Sequence, residues 1–172
     1  METTIKNHVL IVFALMLGNV VHAQSDAFKP AFVDQLVTPY LQIQASLAGD
    51  DLAAAKVGAG KFLQTMKAAP DAKNAKELNA NFQQSATAIS NAADIKSARA
   101  AFLDLSQGMI PLIKHIGTTN TVTLYVTHCP MAFQGKGGDW VQSNQQVANP
   151  YYGAMMLRCG SVKEQIAGKK SN

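Results

Sequence analysis

Residues 95–116 read IKSARAAFLDLSQGMIPLIKHI, and Ile95, Ala98, Phe102, Leu105, Met109, Leu112 and Ile116 recur there at steps of three and four. That spacing lines one face of an α-helix. Asp94 stands just before the stretch, where a carboxylate accepts the free N–H groups of a first turn. His115 falls near the end, where a cation suits the helix dipole, so its expected role is structural. Pro111 is expected to kink this helix or loosen its last turns.

Three similar stripes precede it. Val33, Leu36, Tyr40, Ile43 and Leu47 form the first, closed by Gly49. Leu52, Ala55, Ala59, Phe62 and Met66 form the second, with Asp50 or Asp51 as its cap and Pro70-Asp71 as its break. Leu78, Phe82, Ala86 and Ile89 form the third. Four amphipathic helices joined by short loops most simply pack as an up-and-down four-helix bundle. Ala55, Ala59, Ala86 and Ala98 allow close approach, and Met66 and Met109 read as core filling. The expected fold is mostly α, with helices over about 30–117.

After Gly117 the pattern changes. Val122, Leu124 and Val126 alternate with Thr123, Tyr125 and Thr127, a short strand. The motif-bearing segment 118–160 is otherwise expected to be irregular and loop-rich, and Ser161 to Asn172 to be one short helix and a polar tail.

The 172 residues suffice for one domain with a real core. Met1 to Ala23 has Lys6 and His8 near its start, an apolar run from Val9 to Leu17, and Val21-His22-Ala23 at its end. The run is too short to span a bilayer, which needs about 20 residues, but suits a signal peptide. Residues 1–23 are therefore expected to be removed between Ala23 and Gln24, leaving 24–172 as a single helical domain, periplasmic or secreted. No cysteine follows the run, which argues against a lipoprotein, and no later segment is apolar enough for stable membrane insertion. The net charge of +4 is spread along the chain, with no basic stripe interleaved with aromatics, so nucleic acid is not an expected partner.

Residues His128 to Gly160 hold both cysteines, the only tryptophan, three of the seven methionines, two prolines and five glycines. His128-Cys129-Pro130-Met131 stands at one end and Met155-Met156-Leu157-Arg158-Cys159-Gly160 at the other. Thiolate and thioether sulfurs are soft donors that favour Cu(I) or Ag(I). A site built from both ends would also pin the loop, with Trp140 covering the metal by its ring face. The competing reading is a disulfide, the usual fate of two cysteines in an oxidising compartment. It would leave an interaction module docking through Trp140, Tyr151 and Tyr152. The spacing is not that of a zinc site or of covalent haem. No Gly-x-Ser-x-Gly occurs, Gly135-Lys136-Gly137-Gly138 lacks the rest of a phosphate loop, and an enzyme is not expected.

The runs Tyr125-Val126-Thr127-His128-Cys129-Pro130-Met131-Ala132-Phe133, Gly138-Asp139-Trp140 and Asn149-Pro150-Tyr151-Tyr152-Gly153-x-x-Met156-Leu157-x-Cys159-Gly160 resemble a bacterial domain of formally unknown function. That domain occurs alone in exported proteins and fused to periplasmic adaptor subunits of copper/silver efflux pumps. The resemblance implies extracytoplasmic heavy-metal handling, with Cu(I) as the ligand and a periplasmic efflux or copper-handling protein as partner. It marks Cys129, Met131, Met156 and Cys159 as ligands, with His128 and Met155 flanking them.

Overall fold

The computed structural model describes residues 27–119 and 121–167. The expected leader and its cleavage site lie outside them. The described chain is mostly helical, with four long helices followed by a small antiparallel sheet. The helices are α1 (Pro30–Ala48), α2 (Leu52–Met66), α3 (Lys76–Ser90) and α4 (Ile95–Ile116).

Each helix starts and stops for a local reason. Pro30 opens α1, where its missing N–H costs nothing and its fixed φ suits a first turn. Asp51, rather than Asp50, caps α2, its side chain accepting the Ala54 N–H at 2.8 Å. Asp94 and Ser97 form a reciprocal capping box on α4, so two otherwise orphaned N–H groups are satisfied together. α4 runs through Pro111 to Ile116.

The predicted stripes face inward. Leu36, Tyr40 and Ile43 of α1, Phe62 of α2, Phe82 of α3 and Phe102, Leu105 and Met109 of α4 are all buried. α1 packs on α2, α2 on α3, α3 on α4, and α1 also meets α4. Gly58 lets α1 and α2 close up, because a Cβ there would press on Ile43.

The tail departs from expectation. It carries three strands, β1 (Leu124–Cys129), β2 (Gly138–Gln142) and β3 (Ser161–Ile166), ordered β2-β1-β3 and antiparallel. The strand read at Val122 to Thr127 begins two residues later and runs through His128 and Cys129. The expected helix from Ser161 is β3 instead. Val162 and Ile166 are four apart with Lys163, Glu164 and Gln165 between them, a helical spacing, but pairing with β1 wins. A bulge at Lys163 shifts the β1–β3 register between Val126 and Thr127.

β2 packs against α4 and α1. Buried side chains of the helices and of the sheet, including Leu36, Phe102, Val126, Trp140 and Tyr151, form one hydrophobic cluster. The sheet thus sits on the helices, and the end at which β1 finishes and β3 begins carries both cysteines.

Candidate functional site

Register decides what the strands present. Directly opposed residues of an antiparallel pair share a face, and neighbours along a strand alternate. Cys129 opposes Gly138 and Thr127 opposes Trp140, whereas His128 opposes Asp139 and Val126 opposes Val141. Cys129 and Trp140 therefore share one face of the sheet, and His128 lies on the other.

Cys129 is fully buried and Cys159 half-buried. Their sulfurs, 30 residues apart in sequence, lie 2.8 Å from each other, both cysteines being free thiols. The Met131 backbone N–H donates to the Cys159 sulfur. The Cys159 N–H donates to the Met156 carbonyl at 2.9 Å. Both predicted thioether residues thus adjoin Cys159 through their backbones, Met131 being 54% exposed and Met156 half-buried. The shared hydrogen bond with Cys129 pushes the Cys159 thiol above its ordinary range, with burial adding to this and the Met131 N–H opposing it.

Of the remaining candidates, Trp140 stays near the pair, its ring 3.1 Å from where a Cβ on Gly160 would sit, whereas His128 faces the other side of the sheet. Met155 is 77% exposed on the turn Gly153–Met156. His128 Nδ1 pairs with Asp139 Oδ1 at 2.6 Å and lines a cleft of about 370 Å³ with Leu103, Ile110 and Lys136. Trp140 is fully buried. Its indole N–H donates to Gln142 Oε1 at 2.9 Å, and its ring meets Tyr151 edge-on at 5.6 Å. Among the described residues, no group of three or more His, Cys, Asp or Glu side chains is arranged to hold a metal.

The position of Cys159 comes from the Asn-Pro-Tyr-Tyr-Gly run. Asn149 is fully buried. Its Nδ2 donates to the Cys159 carbonyl at 2.8 Å and its Oδ1 accepts the Tyr151 N–H at 2.8 Å. Its own N–H donates to the Leu157 carbonyl at 2.9 Å. Gly160, next to Cys159, has φ +131, and a Cβ there would lie 2.7 Å from the His128 carbonyl oxygen. Only glycine combines that φ with so close a chain approach. Across the gap, Phe133, Gln134 and Gly135 all take positive φ just after Cys129-Pro130-Met131. Left-handed backbone costs roughly 1–2 kcal/mol at a non-glycine residue. The Phe133 ring packing edge-on to Tyr151 at 5.0 Å helps hold the turn.

Sequence reasoning overlooked two devices that dock this segment on the helices. In the first, Arg99 Nε donates to the Pro150 carbonyl at 2.9 Å, and its Nη2 donates to the Leu47 carbonyl at 2.9 Å and to Asp50 at 2.6 Å. Asp50 also accepts the Ala154 N–H at 2.8 Å. That N–H, then the Arg99 guanidinium, holds the Asp50 carboxyl below its usual range. In the second, the Tyr40 hydroxyl accepts the Val141 N–H at 3.0 Å and shares a hydrogen bond with Ser106 Oγ at 2.8 Å. Tyr151 donates to the Asp139 carbonyl. Burial pushes both phenols well above their ordinary range. The one signal in the sequence was a polar atom within a core stripe, the Tyr40 hydroxyl; Arg99 and Asp50 lie beside the stripes and look like solvated surface.

Residues 36–121 match the model of a protein family described as "Protein of unknown function (DUF3347)". The chain belongs to this family. The match covers most of α1, all of α2 to α4 and the connection toward β1, so both cysteines of this DUF3347 protein lie beyond the matched residues. No curated protein and no solved structure matches the chain.

Proposed function

We propose that this DUF3347 protein binds Cu(I) outside the cytoplasm and buffers or delivers it to a copper-handling or efflux protein. Cys129 and Cys159 supply thiolates, and Met131 and Met156 supply thioethers. The observation that carries the reading is the 2.8 Å approach of the two sulfurs, with the backbones of Met131 and Met156 hydrogen-bonded to Cys159. Two soft thiols held this close, with thioether residues adjoining them along the chain, suit a monovalent coinage metal better than a hard cation. Export rests on the apolar leader pattern of residues 1–23. The up-and-down arrangement of the four helices is part of the same reading and rests on their sequential packing.

The test is Cu(I) titration of reduced protein against a competing chelator. A stoichiometric complex is expected, weakened at least tenfold by Cys129→Ser with Met131→Leu. Unchanged affinity in that double variant removes the proposal. Thiolate ligands must shed their protons before they bind metal, and the Cys159 thiol holds its proton above the ordinary range. Apparent affinity is therefore expected to climb with pH through neutrality and on past pH 9, which titrations at several pH values check.

A second reading rests on the same distance. A disulfide needs sulfurs about 2.05 Å apart, a sub-ångström approach from 2.8 Å. A quantitative Cys129–Cys159 bridge without metal, found by mass spectrometry of protein taken from its native compartment, favours a stapled interaction module.

A further inference from the structure

We propose that the cysteine pair is a thiol–disulfide exchange site with a fixed direction: Cys159 meets external disulfides and thiols, and Cys129 resolves the mixed disulfide from inside. The proposal does not depend on copper.

The two sulfurs are unequal. Cys129 has no exposed surface, whereas Cys159 is half-buried and opens to solvent. A co-reactant therefore reaches one sulfur only, and exchange rates depend on that access. Cys159 is also held in place, by Asn149 Nδ2 on its carbonyl and by the Met156 carbonyl on its N–H. The Met131 N–H points at its sulfur, where it can stabilise negative charge developing during exchange. Cys129, in contact at 2.8 Å, is ready to attack. The imidazole of His128 is committed to Asp139 on the opposite face of the sheet, so the adjacent residue in sequence is not the activating base.

The chemistry balances with a low-molecular-weight disulfide as oxidant. The Cys159 thiolate attacks one sulfur of the external disulfide, forming a mixed disulfide and expelling one thiolate. The Cys129 thiolate then attacks the Cys159 sulfur, forming the Cys129–Cys159 bond and expelling the second thiolate. The protein loses two electrons and two thiol protons, and the external disulfide becomes two thiols. The reverse sequence reduces the bridge.

The experiment uses metal-free, reduced protein and oxidised glutathione, read by intact mass and peptide mapping. Cys129→Ser should trap one glutathione on Cys159. Cys159→Ser should react roughly 100-fold more slowly. The wild type should pass through a Cys159 adduct to the internal bridge. Because Cys129 is in the core, the order of iodoacetamide labelling in folded wild-type protein gives a second readout, with Cys159 modified first. Equal reactivity of the two cysteines, initial labelling at Cys129, or failure of the wild type to form the bridge overturns the proposal. None of these outcomes bears on Cu(I) titration of the reduced protein, so the two readings fail separately.

Discussion

Replace one aliphatic side chain with another along α4 and the face it presents to the core is unchanged; remove the amide of Asn149 and both the Cys159 carbonyl and the Tyr151 N–H lose a partner. The helices are held by non-directional burial spread over many side chains. The segment from Cys129 to Gly160 shares that burial through Trp140, Val141 and Tyr151, but its path is set by a few directed hydrogen bonds, positive-φ residues and close chain approaches. Apolar area tolerates local repacking, whereas a buried polar group left unpaired does not. The molecule thus joins a forgiving scaffold to an exacting site.

The largest effect should come where the two regimes meet. Phe102 is fully buried, stacks on Tyr40 at 5.0 Å and leans on Tyr151 at 6.1 Å. Phe102→Ala should cost about 3–5 kcal/mol by chemical denaturation, in one transition seen equally by far-UV circular dichroism and by Trp140 fluorescence. Two separated transitions would break the comparison by making helices and tail independent units. Asn149→Ala should cost about 2–3 kcal/mol and speed alkylation of Cys159, with little change in helix content. If alkylation does not change, the amide does not position the thiol. Leu112→Met, a near volume-conserving change at a buried stripe position, should cost under about 1.5 kcal/mol, measured the same way. A cost as large as that of Asn149→Ala would show the scaffold to be no more tolerant than the site.

A pH experiment sharpens the same contrast. The Asp50 carboxyl is held below its ordinary value, so it binds its proton less readily when folded than when unfolded. Its contribution is present above the unfolded value of 3.8 and is lost as the pH falls through the lower, folded value. Between pH 5 and pH 2 the Arg99–Asp50 dock should therefore weaken. Arg99→Met should make that part of the acid stability profile shallower, the Ala154 N–H on Asp50 retaining the rest, and an unaltered profile would mean that the guanidinium carries none of the pH-dependent stability.

The helices were legible because burial repeats every three to four residues. Tyr40, Phe62, Phe102 and Leu105 could be placed in the core from spacing alone, and they are buried. The sheet was only partly legible. β1 alternates enough to be read, but β2 is five residues opening on Gly138, and β3 shows no buried position. Its pairing with β1, more than 30 residues away, leaves no local periodicity to find. The sulfur residues could be named from their clustering, and Cys129 and Cys159 do meet. The division of labour around them was not legible. The assignment of His128 and Cys129 to opposite faces depends on strand register, and the fixing of Cys159 by Asn149 depends on a turn whose partners are all backbone groups.

The hydrogen bond from the Val141 amide to the Tyr40 hydroxyl reaches across 101 residues of sequence. Because its acceptor belongs to a side chain of α1 rather than to a neighbouring strand, this proton can exchange with deuterium only when β2 lifts away from that helix. Its exchange rate, compared with those of amides bonded within β1 and β2, would time the undocking of the tail directly.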